Sequence, residues 1–266
     1  MSNKYWFVFC SGNILLRKDE NGDFHVPFGD EAPTETKEWT TMQELPDLDG
    51  VQCVAYSINT PISEESKLNS IGLRESYNVL PLSHYLMAGK ASQLLYWDSN
   101  TKYCGHCGGM MKRTGVISKK CTNCGKEAWP QVAPAIIVRI LRNDSPDRNP
   151  QKEQILLVSA RNFRRSTMYG LVAGFVETGE TLEQCVEREV QEETGLRIKN
   201  IKYFASQPWP YPSGLMIGFT ADYDGGEIKL QEEELLRGGW FTRDNMPQIP
   251  DKLSIARRLI DDWLNK

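Results

Sequence analysis

Four cysteines in two close pairs constrain this chain more than any other feature. The segments "YCGHCGG" and "KCTNCGK" place Cys104 and Cys107, then thirteen intervening residues, then Cys121 and Cys124. Two such pairs supply four thiolates, the donor set of a tetrahedral zinc ion. Gly108 and Gly125 follow the second cysteine of each pair. Glycine tolerates the turn that lets backbone N–H groups face the sulfurs. Four thiolates close the coordination shell and leave no position for water, so this zinc is expected to be structural. A ribbon that touches nucleic acid is the alternative reading.

The chain has 266 residues, which a prior of about 150 per domain divides into two domains and a small third module. The expected boundaries are an N-terminal domain at 1–100, a zinc ribbon at 101–128 and a catalytic domain at 129–266. Net charge is -4, from 31 basic and 35 acidic residues, so no global field draws in nucleic acid. No apolar run is long enough for a membrane span. The N-terminus "MSNKYWFVFCSGNILLRKDE" reads as two strands and a turn rather than a signal peptide. The remaining cysteines, Cys10, Cys53 and Cys185, are scattered, which points to a reducing compartment and hence the cytoplasm.

Within 1–100, "YWFVF" and "VQCVAYSI" read as strands, and "SHYLMAGKASQLLYW" as a helix capped by Ser83. No catalytic constellation is visible there, and a packing or dimerisation role is expected. Further on, "VAPAIIVRIL", "QILLVSA", residues 171–175, "IKYFASQPW" and "GLMIGFTADY" read as strands. A polar loop lies at 142–153, and an amphipathic helix closes the sequence with Ala256, Ile260, Trp263 and Leu264 on one stripe.

The segment "GFVETGETLEQCVEREVQEETGL" carries seven glutamates and one arginine, Arg188. Thr181 followed by Gln184 fits a capping box. Leu182, Cys185, Val186 and Val190 then form an apolar stripe, and Gly195 ends the helix. Glu189, Glu192 and Glu193 fall at i, i+3 and i+4, so their carboxylates share a face. An oxygen-only cluster suits a hard cation such as Mg²⁺ or Mn²⁺. On spacing alone, a solvated acidic face is an equally good reading.

The flanking residues carry a resemblance. Gly174, then Glu180, then Arg188-Glu189-Val190-Gln191-Glu192-Glu193-Thr194-Gly195-Leu196 is similar at every defined position to the signature of Nudix hydrolases. The resemblance implies an α+β chain: a Nudix α/β/α sandwich with a mixed sheet, preceded by the four-cysteine zinc ribbon and an N-terminal mixed α/β domain. It implies that Glu189, Glu192 and Glu193 hold catalytic Mg²⁺ or Mn²⁺, with Arg188 and Glu180 orienting the helix and its carboxylates. Downstream, Ser206-Gln207-Pro208-Trp209-Pro210-Tyr211-Pro212 resembles the SQPWPFPxS array of the NADH pyrophosphatase subfamily. Tyr211 stands where Phe is usual, and Gly214 stands near the usual Ser.

By that resemblance the expected reaction is metal-dependent hydrolysis of the diphosphate of NADH or NAD to nicotinamide mononucleotide and AMP. The enzyme is expected to be a homodimer. Glu234, in "EEELLRGGW", is implied as a further metal ligand, and Trp129, Phe175, Gln207, Trp209 and Ala256 as substrate contacts. Two alternatives accompany this expectation. One is removal of the NAD cap from RNA 5′ ends as the main role, served by a basic groove containing Lys112, Arg113, Lys119 and Lys120. The other is a non-catalytic zinc-ribbon binding module.

Overall fold

The computed structural model describes residues 3–60, 62, 66–145, 147, 149, 152–161 and 167–265. Parts of the loop at 142–153 (residues 146, 148, 150 and 151) lie outside the described residues. The chain forms two compact units, residues 1–131 with 210–213, and residues 132–209 with 214–266.

In the first unit, among the described residues, a seven-stranded sheet is built from β1 (Lys4–Cys10), β2 (Asn13–Lys18), β3 (Phe24–His25), β4 (Phe28–Gly29), β5 (Gln43–Leu48), β6 (Val51–Ile58) and β7 (Leu68–Gly72). β1 and β6 lie parallel, and Phe7, Val8, Ala55 and Tyr56 at their centre are fully buried. Helix α1 (Leu82–Asn100) packs against β5, β6 and β1. The expected cap is not used. The helix begins at Leu82, and Pro81, with its fixed φ of -54°, is the N-cap without a side-chain hydrogen bond. Ser83 is therefore already inside the first turn.

The ribbon belongs to this unit. Strands β8 (Met111–Gly115), β9 (Ser118–Cys121) and β10 (Glu127–Ala128) form an antiparallel sheet whose core is only Cys104, Met111 and Cys121, with Ala128 against them. Lys119 of β9 is buried, and its ammonium donates to the carbonyls of Asp98 (2.7 Å) and Thr101 (3.0 Å) while pairing with the Asp98 carboxylate at 3.0 Å. Arg113 donates to the same carboxylate and to the Gln43 side chain. Of the four cations of the expected basic groove, two are engaged in tertiary contacts, while Lys112 is exposed. Lys119 and Arg113 fasten the ribbon to α1 and β5, and Lys120 pairs with Glu127.

The second unit is an α/β/α sandwich on a mixed six-stranded sheet, counted over the described residues. Its order is β14 (Arg197–Trp209), β15 (Gly214–Gly225), β11 (Ala133–Arg142), β12 (Gln154–Ala160), β16 (Leu235–Phe241), with β13 (Val172–Phe175) also paired to β11. β11 and β15 are parallel and the other pairs antiparallel. The apolar run of β11 is continuous because the strand is covered on both faces. Ile136, Val138 and Ile140 face Cys185, Val186 and Val190 of α2 (Leu182–Thr194). Ile137 faces the opposite way, toward Leu259, Ile260 and Trp263 of α3 (Ile255–Leu264). No helix of the described residues is long and apolar enough to cross a membrane.

Candidate active site and zinc ribbon

Helix α2 starts as its sequence dictates. The Thr181 hydroxyl accepts from the N–H of Gln184, and the Gln184 side chain accepts from the N–H of Thr181. Gly195 ends the helix at φ 70°, in the left-handed region. Glu177, Glu183 and Glu187 are exposed, whereas Glu189 and Glu193 are buried, at 9% and 5% exposure. The reason is periodicity. Cys185, Glu189 and Glu193 follow one another at i, i+4 and i+8, so the stripe that begins with a core cysteine continues in glutamates. A solvated acidic face is therefore excluded for these two.

Burial raises the affinity of both carboxyls for a proton. Glu193 is pushed up to about 8, first by burial and then by the charges of Glu189, Glu234 and Glu192. Glu189 is also raised, chiefly by burial, against the pull of Arg188. Glu234 is exposed and directly precedes β16, yet its charge acts on both Glu189 and Glu193, which places it beside the box. The charges of Glu192 and Glu234 therefore act on two dehydrated carboxyls, although among the described residues the side chains that bring their donor atoms within 4.8 Å of one another are the ribbon cysteines. Carboxylate oxygens are the donors that suit a hard divalent cation.

Arg188 organises the cluster. Its Nε and Nη2 donate to the two oxygens of Glu180 at 3.0 and 2.8 Å. Its Nη1 donates to Glu189 (2.9 Å) and Glu192 (3.0 Å), and Nη2 also to the carbonyl of Phe175 (3.0 Å). Glu180, held down to about 2 by Arg188 and then by the N–H of Glu177, stays ionised. One guanidinium therefore ties the loop, the end of β13 and two box carboxylates together. Gly174 completes the arrangement. A Cβ there would coincide with the Glu189 carboxylate, which lies directly over this residue.

Phe175, whose carbonyl accepts from Arg188, is 67% exposed at the end of β13; the other expected contacts are placed by α3 and by the β14–β15 hairpin. Ala256 is buried in the first turn of α3. The amide of Gln207 is engaged at both ends: its oxygen accepts from the N–H of Ile255 (2.6 Å) and its nitrogen donates to the carbonyl of Leu253 (2.9 Å). Gln207 thus clasps β14 to the start of α3. Trp209, half-buried, closes β14 opposite Gly214. Trp129 belongs to the first unit, where it lines a cavity of about 440 Å³ with Tyr96, Trp97, Lys126 and Gln131.

The four ribbon cysteines bring their sulfurs within 4.8 Å of one another. The Cys104–Cys124 and Cys107–Cys121 separations are 3.7 and 3.5 Å. Tetrahedral zinc with Zn–S of about 2.3 Å requires sulfurs about 3.8 Å apart, so the set fits that ion. Backbone N–H groups of His106 and Asn123 point at Cys104 and Cys121, both at 3.4 Å. Gly108 and Gly125 adopt φ of 72° and 74°, which makes those turns possible.

Residues 136–263 match the NUDIX domain, and residues 3–97 match the NADH pyrophosphatase-like rudimentary NUDIX domain. No glutamate box marks the N-terminal domain, so no local motif signals its kinship. The chain is 42% identical over 184 residues to the NAD-capped RNA hydrolase NudC of Shigella dysenteriae serotype 1, covering 69% of this chain and 68% of that protein. The protein of the same name from Deinococcus radiodurans is 42% identical over 195 residues, covering 73% and 68%. That from Pectobacterium atrosepticum is 44% identical over 179 residues, covering 67% and 65%.

Proposed function

This chain belongs to the Nudix hydrolases, and we propose that the bond it hydrolyses is the diphosphate of NADH and NAD, giving nicotinamide mononucleotide and AMP. The observation that carries the reading is the buried glutamate pair, Glu189 and Glu193, gathered with Glu192 and Glu234 in a chain that also bears the Gln207–Pro212 array. Glu189, Glu192, Glu193 and Glu234 would hold Mg²⁺ or Mn²⁺, and a cation there would neutralise diphosphate oxygens and acidify water. Arg188 and Glu180 set the positions of the carboxylates, and one carboxylate of the set accepts the proton of the attacking water. Phe175 and Trp209 offer ring faces to the base and nicotinamide, worth about 1–3 kcal/mol per stacked ring, and Gln207 and Ala256 support them from β14 and α3. In the first unit, Trp129 is a further ring able to stack on substrate.

Cys104, Cys107, Cys121 and Cys124 would hold zinc, which would serve a structural role. The protein acts as a homodimer in the cytoplasm, where the free Cys10, Cys53 and Cys185 stay reduced. Product analysis on NADH, ADP-ribose and NAD-capped RNA with Mg²⁺ or Mn²⁺ tests the substrate. AMP released from NADH is expected, and its absence with active hydrolysis of another diphosphate would remove the assignment.

A second reading is favoured by the name its relatives carry: NAD-capped RNA as the main substrate. The chemistry is unchanged. Arg113 and Lys119 are committed to Asp98, so a large RNA footprint on the ribbon is not supported. Turnover of capped RNA measured at two salt concentrations separates the readings, because each phosphate contact steepens the salt dependence.

A further inference from the structure

We infer that Tyr85 of α1 is a positioning residue for the Gln207–Pro212 array, held to it through the hydroxyl that Tyr211 has and the usual Phe lacks. Trp209 and Gly214 are the last paired residues of β14 and β15, so residues 210–213 form the tip of that hairpin. The tip is part of the first unit and is held there at several points. Pro210 is buried against Gly89, where an added Cβ would stand 3.1 Å from the proline Cγ. The Tyr211 and Tyr85 hydroxyls are 3.0 Å apart. The Arg74 guanidinium lies 4.8 Å from the centre of the Tyr211 ring. The Ser213 hydroxyl donates to the carbonyl of Gln131 at 2.7 Å.

Tyr85 and Gly89 are i and i+4 on α1, so one helix stripe receives Pro210 and Tyr211. Gly89 provides the space and Tyr85 the polar anchor. Tyr85 is 4% exposed and packs edge-on to Tyr77 at 5.4 Å. A hydroxyl in such surroundings is costly unless it has a partner. Burial also raises both phenols, Tyr85 and Tyr211, so each remains a neutral O–H able to donate or accept. The substitution of Tyr for Phe in the array is therefore matched by a second Tyr on α1. The pair fixes Tyr211, two positions after Trp209 in the array.

The inference rests on the NAD(H) reading only for the choice of substrate. The test compares Tyr85→Phe, Tyr211→Phe and the double variant. Tyr211→Phe strands the buried Tyr85 hydroxyl and Tyr85→Phe removes one partner of the Tyr211 hydroxyl, whereas the double change leaves two rings of matching shape. The singles are expected to raise KM for NADH about five-fold, with kcat held within about two-fold, the scale of one lost hydrogen bond. The double variant is expected to return toward the parent. Hydrogen exchange of residues 206–214 without substrate gives a readout independent of turnover. It is expected to speed up in the singles and recover in the double. Should the parent fail to hydrolyse NADH, the substrate assignment falls, and the exchange pattern still decides the role of Tyr85. Unchanged KM and exchange in both singles, or a double variant worse than either, overturns the inference.

Discussion

The Glu189 carboxylate occupies the space that a side chain on Gly174 would need. Any residue other than glycine at 174 must push this ligand aside, while the fold of β13 itself has no need of glycine's conformational freedom there. Gly174→Ala is expected to lower Mg²⁺-dependent turnover and Mn²⁺ affinity by about 10–100-fold, the range seen when a ligand loses its support. Thermal stability should change much less. Mn²⁺ titration alongside kinetics checks this, and wild-type Mn²⁺ affinity in the variant would count against the assignment of Glu189.

Arg188 uses three nitrogens on three carboxylates and a carbonyl. A lysine cannot reproduce that fork. Arg188→Lys should therefore keep the charge but lose about 10–100-fold in turnover through misplaced ligands. Near wild-type rates in this variant would show that charge alone matters.

The two extreme carboxyls of the site predict opposite pH effects. Folded Glu193 holds its proton to about pH 8, whereas the unfolded chain releases it near 4.5. Its contribution is complete below pH 4.5 and is lost as pH rises through 8, so stability without added Mg²⁺ falls by a few kcal/mol over that window. Glu180, held near 2, contributes above 4.5 and loses its contribution as pH falls toward 2. Urea unfolding at about pH 5, 6.5 and 8 measures the first effect. Glu193→Gln should flatten the decline, and Mg²⁺ should oppose it at the alkaline end by binding the ionised form.

The ribbon core of three buried residues is too small to hold a sheet without metal. Stripping zinc, or Cys121→Ser, is expected to abolish amide protection in β8–β10 while leaving α2 and α3 protected. Structural zinc contributes about 10–16 kcal/mol in finger peptides, so the local effect should be complete rather than partial. Persistent protection after zinc removal would make the metal dispensable.

Much of the second unit was legible because its signals are local. The Thr181–Gln184 box, Gly195 and the period of Val186 and Val190 define α2 from its own residues. The burial of Glu189 and Glu193 was also written there, since both continue the stripe from Cys185, but counting charges hides it. Ser83 misled because the local signal for a cap ignores the preceding residue: Pro81 had already set the extended backbone that a cap supplies. The rudimentary NUDIX domain could not be read locally, since the β1–β6 pairing joins residues such as Val8 and Tyr56 that are far apart in sequence. The fate of Lys119 depends likewise on Asp98, which no ribbon motif mentions. Gln207 carried a motif position, and only the fold shows its amide spanning Leu253 and Ile255.

Residues 210–213 belong with a body otherwise made from residues 1–131. That body is therefore discontinuous along the chain. During synthesis its helix α1 waits, with Tyr85 and Gly89 uncovered, until the hairpin tip emerges from a segment made much later. A fragment ending near residue 131 would carry the same bare stripe permanently. Expressed alone, the N-terminal piece should aggregate or recruit surrogate partners, and supplying a peptide that contains Pro210–Ser213 should improve its solubility.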